Sequence, residues 1–144
     1  MIKPNFHNIL NEAYAAASDA CATTLARTDD HSACGFAWVK IDGREPLAHF
    51  CRKEIKNTAD AAGRNAATRG DDDEQAARVR RLAAREAESR YGHKGYPTGW
   101  EFWMPGRGGA PGCQSVHIFE AGADAFRDVL AKYGIRANSA SRLD

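Results

Sequence analysis

No apolar stretch in this 144-residue chain approaches the ~20 residues that a helix needs to cross a bilayer. A transmembrane helix is therefore not expected, and neither is a membrane partner. An excess of charge of one sign is also missing. Lys and Arg number 20 against 19 Asp and Glu, a formal net charge of +1. The chain as a whole is not a polyanion binder, and any phosphate contact must come from a local patch. The four cysteines, Cys21, Cys34, Cys51 and Cys113, include no Cys-x-x-Cys pair. They read as reduced, mostly buried thiols. The opening residues carry no apolar signal segment, so the cytoplasm is the expected location. No internal repeat, Walker pattern or dinucleotide fingerprint is found.

What is present suits an ordinary folded protein. Hydrophobic residues make up 43% and charged residues 27%, which fits a single domain over residues 1–144. Phe6, Leu10, Ala13, Ala17, Cys21 and Leu25 recur at helical spacing after the start signal Pro4-Asn5. Their Ala-rich, narrow face should press closely on a neighbour, with a second subunit as one candidate. Cys34 to Ile41 is the best strand, apolar on both faces and so expected to be central. Asp42-Gly43 turns the chain, and Pro46 opens a short helix with Leu47, Phe50, Cys51 and Ile55 on one side. Residues 53–90 read as a charged helical insertion, with a polar stretch to Gly70, an acidic run, and a helix from Gln75 to Arg90.

Gly99 to Met104 is a second strand, with Trp100, Phe102 and Met104 alternating against Glu101 and Trp103. A helix from about Val116 to Tyr133 buries Phe119, Ala123, Phe126, Leu130 and Tyr133, and Gly134 ends it. Ile135 to Ser141 is a third, short strand. The expected class is α/β (α+β): a small three-stranded sheet flanked by an N-terminal helix and a C-terminal amphipathic helix, with the charged helical insertion.

Several groups are candidates for chemistry. The loop Pro105 to Gly112 precedes Cys113-Gln114-Ser115 and a helix. Glycines and unpaired helix N–H groups admit an anion, and Arg107 can add a bidentate contact. A plain connection with Ser115 as N-cap is the competing reading. Phe36, Trp38, Trp100 and Trp103 are concentrated in two strands. Aromatic faces stack on nucleobases, yet aromatics in strands more often form core. Trp100 and Trp103 fall on opposite faces, so one of them should be available to a pocket or interface. Arg136, Ser141 and Arg142 combine cations with a hydroxyl suited to phosphate oxygens. Terminal segments, however, commonly fray. His31, Cys34, His49 and Cys51 are suitable zinc ligand types at weak spacing, and Cys113 with His117 has no nucleophile motif around it. The Arg78 to Arg90 helix reads as a solvated face because glutamates are interspersed. No metal and no cofactor are expected.

The segment Cys34-Gly35-Phe36-Ala37-Trp38-Val39-Lys40-Ile41 resembles a family of short phage and prophage proteins. The resemblance resumes at Gln114-Ser115, runs through Glu120-Ala121-Gly122-Ala123-Asp124-Ala125-Phe126 and Val129-Leu130, and closes on Ser141-Arg142-Leu143-Asp144. It covers about half of the chain, and that family's members have a shorter connection where this chain has 53–90. By size and type such proteins are similar to anti-defence sponges that counter Thoeris and CBASS immunity. The resemblance implies a homo-oligomer in the host cytoplasm that sequesters a nucleotide-derived signal, a cyclic ADP-ribose derivative or cyclic oligonucleotide, without cleaving it. The expected contacts are Phe36, Trp38, Trp100, Trp103, Arg107, Ser115, Arg136, Ser141 and Arg142. The alternatives are a hydrolase of such nucleotides and a phage inhibitor that binds protein or nucleic acid, although nucleic acid is not the favoured partner.

Overall fold

A computed structural model describes residues 5–27, 35–104 and 115–143. Its elements in chain order are α1 (Phe6–Arg27), β1 (Gly35–Ile41), α2 (Pro46–Thr68), α3 (Asp73–Tyr91), β2 (His93–Lys94), β3 (Trp100–Trp103), α4 (Val116–Lys132) and β4 (Ala137–Leu143). The strands form one antiparallel sheet in the order β2-β3-β1-β4. The class is α+β. The sheet has four strands where three were expected, because β2 is only two residues long and carries no period to detect. No described helix is long and apolar enough to cross a membrane.

The core lies between one face of the sheet and the helices. Period-two alternation sends Ala37, Val39 and Ile41 of β1 inward, with Trp100 and Phe102 of β3 and Met104 just beyond it. Helix α4 meets them with Phe119, Ala123, Phe126 and Leu130, which recur at helical spacing along its buried side. Phe102 and Phe126 pack with ring centroids 5.2 Å apart. Tyr133 does not complete this stripe. It is 46% exposed and its hydroxyl donates to Glu12 at 2.8 Å. Helix α4 stops at Gly134, whose φ of 79° suits a residue without Cβ. Gly134 N–H donates to the Ala131 carbonyl and Ile135 N–H to the Leu130 carbonyl, a Schellman closure.

The narrow Ala-rich face of α1 has its neighbour within the chain, not in a second subunit. Ala13, Ala17 and Cys21 are fully buried and α1 lies along α4. Gly122 makes the close approach possible, since a Cβ there would stand 2.6 Å from Cys21 Sγ. The Cys21 thiol donates to the Ile118 carbonyl at 3.4 Å.

Helix α2 is much longer than the short helix expected. It continues through Thr58 to Thr68 because Ala59, Gly63 and Ala66 form a small-residue seam for α3. The stem of Arg80 crosses that seam, its Cγ 2.7 Å from where a Gly63 Cβ would be, and its guanidinium pairs with Asp60 at 2.6 Å. Asp72 caps α3 by accepting from Gln75 N–H at 2.8 Å. No residue of α3 is buried. Its end is nonetheless tied to α1: Tyr14 donates to the Arg90 carbonyl, and Arg90 to Asn11, both at 2.7 Å.

Candidate functional site

The same alternation that fills the core leaves the other sheet face to Phe36, Trp38 and Lys40 of β1, Glu101 and Trp103 of β3, and Asn138, Ala140 and Arg142 of β4. Cross-strand pairing aligns them in rows: Phe36 with Arg142, Trp38 with Trp103 and Ala140, Lys40 with Glu101 and Asn138. Trp103 is the hub. Its ring stacks on Trp38 at 5.0 Å and 15° and meets Phe36 at 5.7 Å and His93 at 6.0 Å. Its indole N–H donates to Glu101 Oε1 at 3.1 Å. Arg142 Cζ stands 5.5 Å from the Phe36 centroid and 5.8 Å from that of Trp103, within cation–π range of both. Phe36, Trp38 and Trp103 are half-buried, so their faces are only partly covered.

Beyond the last row, at the Ile41 end of β1, lies a cleft of about 930 Å³. Lys40, Asp42, Arg44, Thr98, Gly99, Arg136 and Asn138 are among its lining residues. Asp42 ends β1 and holds the turn into α2. It accepts from the Arg44 backbone N–H at 2.8 Å and from the Arg44 guanidinium at 3.1 and 3.2 Å. Those bonds, the side-chain ones foremost, lower the Asp42 carboxyl to about 2. The Lys40 ammonium donates to the Tyr96 carbonyl at 3.4 Å, and Tyr96 itself stands 92% exposed at the tip between β2 and β3. Arg52 braces the turn from behind, donating to the Gly43 carbonyl at 2.6 Å.

No protein-family model matches the chain, and no curated protein or solved structure matches it either.

Of the expected contacts, Phe36, Trp38, Trp103 and Arg142 come together on the open face. Trp100 does not join them. It is 6% exposed on the helix side, its indole donates to the Tyr91 carbonyl at 2.7 Å, and Arg52 lies over its ring. Ser141 and Arg142, adjacent in sequence, point to opposite faces of β4. Ser141 shares the helix side with Ser139, which donates to Asp124 of α4 at 2.6 Å. Arg136 lines the cleft at the other end of β4 from Arg142. Ser115 is buried and takes the N-cap position of α4 expected for it, though its side chain makes no cap bond there. Arg107 and the loop around it lie outside the described residues, as do His31, Cys34 and Cys113. Among the described residues no group of three His, Cys, Asp or Glu is placed to hold a metal ion. Cys51 is in the core, where burial pushes its thiol up to about 12.

Sequence reasoning missed Lys40, Glu101 and Asn138, although alternation from Trp38, Trp103 and Arg142 puts them on the same face. It also missed His93 and the cleft, for which no local signal exists.

Proposed function

We propose that this protein binds a nucleotide-derived signal on the open face of its sheet and holds it without cleaving it. The observation that carries this reading is the Trp103 cluster. Three half-buried rings and a guanidinium lie together on the sheet face turned away from α1 and α4. Such a surface recognises planar bases by stacking and anionic groups by charge, and holding a ligand this way requires no bond to be broken. The resemblance to short phage proteins supports an anti-defence sponge in the host cytoplasm as the biological setting. The two segments that carry the resemblance most specifically, Cys34 to Ile41 and Ser141 to Asp144, meet in the β1–β4 ladder, where Gly35 faces Leu143 and Phe36 faces Arg142.

The reading includes a homo-oligomer. Strand β4 ends the sheet order and pairs with β1 alone among the described strands. Its residues from Ala137 to Ser141 are small, without the Lys or Pro that usually blunts an exposed edge. Light scattering on the eluting protein should report a species larger than one chain, and a strictly monomeric protein at working concentration would remove this part.

An open row of rings also suits a short single strand of nucleic acid, which is the second reading. Binding that weakens steeply with salt and extends to oligonucleotides of any sequence would favour it. The direct test of the first reading incubates the purified protein with cyclic ADP-ribose isomers and cyclic dinucleotides, removes free ligand, and heats the protein. Recovery of an intact ligand is expected. Recovery of every ligand unbound before heating would refute it, and altered products would point to a hydrolase.

A further inference from the structure

We infer that the cleft at the Ile41 end of β1 is the sugar-phosphate subsite of the same ligand, which makes the ligand class a nucleoside di- or oligophosphate and not a free base. The inference rests on the nucleotide reading above and extends it with a different part of the molecule. The open face and the cleft are continuous: Lys40 and Asn138, partners across β1 and β4, lie on the open face and also line the cleft. Residues two apart on a strand are separated by roughly 7 Å. A base stacked beside Trp38 and Trp103 therefore has its attached groups over Lys40 and Asn138, and one step further they reach Arg136 and Asp42.

The chemistry changes along that path as a nucleotide's does. Aromatic carbon gives way to an ammonium, an amide and the Glu101 carboxylate, which the Trp103 indole already engages, then to a guanidinium and a second carboxylate. Arg136 is exposed where it lines the cleft, and Lys40 reaches the Tyr96 carbonyl at 3.4 Å, a long contact for a group with three donors. Both can turn to phosphate oxygens. Arg44 is not needed for this, because its guanidinium is held by Asp42. Asp42, kept ionised by that pairing, accepts hydrogen bonds from ribose hydroxyls, and Asn138 donates or accepts. The cleft, about 930 Å³, has room for such a group.

The test compares each common nucleoside with its 5′-diphosphate by isothermal titration calorimetry. It uses the full chain, the double variant Lys40→Ala/Arg136→Ala, and Trp103→Ala. Circular dichroism verifies folding. The wild type should bind at least one diphosphate roughly ten-fold or more tightly than its nucleoside, as charge-assisted bonds allow. That ratio should fall to near one in the double variant, chiefly through loss of diphosphate affinity, while Trp103→Ala should weaken both. If the double variant keeps the wild-type ratio while Trp103→Ala loses binding, the subsite assignment fails and the stacking face stands. If the wild type binds neither member of any pair, the subsite assignment fails, while the nucleotide reading stands or falls with the cyclic ligands above.

Discussion

Arg142 holds its guanidinium 5.5 Å from the centre of the Phe36 ring, directly opposite it in the β1–β4 ladder. This contact joins the second residue of the first strand to the next-to-last residue of the last strand. The first and last strands of the described chain thereby form one surface. Trp103, brought in by β3, lies within reach of the same guanidinium at 5.8 Å.

Arg142→Ala should cost little stability, because exposed cation–π contacts contribute about 0.5–1 kcal/mol. A thermal melt should shift by only a few degrees. Ligand affinity should fall more than that, and Arg142→Lys should restore it incompletely, since an ammonium lacks the planar face that stacks on rings. Titration calorimetry alongside the melt separates the two effects.

Gly122→Ala should destabilise the α1–α4 contact, because the new Cβ would meet Cys21 Sγ at 2.6 Å. Overpacking of this kind costs typically about 1–3 kcal/mol, partly offset by the better helix propensity of Ala. The next neighbours are the Ala17 carbonyl at 3.4 Å and Ala17 Cβ at 3.9 Å, an ordinary distance. Adding Cys21→Ala should therefore recover most of the loss. Urea melts of the two singles and the double form the cycle that checks it.

The Cys51 thiol, raised by burial from about 9 to about 12, makes stability depend on alkaline pH. Its folded value lies above its unfolded one, so the contribution is fully present below pH 9 and is lost as pH rises from there towards 12. Wild-type stability should fall more steeply between pH 9 and 11 than that of Cys51→Ala. Alkylation at pH 8 followed by mass mapping should leave Cys51 unmodified until denaturant is added.

Helix α3 should be the first element to open. It buries no residue, and the Arg80–Asp60 pair that crosses to α2 is partly exposed. Arg80→Ala should cost less than about 1 kcal/mol. Hydrogen exchange should show α3 amides opening well before those of α4, whose Phe126 and Leu130 are fully buried. Equal protection of the two helices would contradict this.

Strong periodicity makes α1, β1, β3 and α4 legible in the sequence. Leu10, Ala13, Ala17 and Cys21, or Phe119, Phe126 and Leu130, repeat where a helix must be buried, and Gly134 marks where α4 must end. The rest is hidden for identifiable reasons. The second half of α2 reads only as a polar stretch of the insertion because its seam is Ala59, Gly63 and Ala66, small residues that suit close approach to α3 and add little hydrophobicity. The end of the chain reads as a short strand from Ile135 to Ser141 with a tail beyond it, yet the ladder with β1 runs from Ala137 to Leu143 and takes in Arg142. On the site, alternation separates Trp103 from Trp100 correctly, and applied to β4 it separates Ser141 from Arg142 as well. The cleft is out of reach, because Lys40, Asp42 and Arg136 meet only once β4 has returned beside β1.

The most direct measurement is ligand retention by the wild type and by Trp103→Ala, with Leu82→Ala on the exposed side of α3 as a control. Each protein is incubated with cyclic ADP-ribose isomers and cyclic dinucleotides, stripped of free ligand and heated. The wild type and Leu82→Ala should release an intact nucleotide. A folded Trp103→Ala should retain about ten-fold less or lower still, as loss of one stacking ring implies. A folded Trp103→Ala that retains as much nucleotide as the wild type would contradict the account, as would a wild type that retains none.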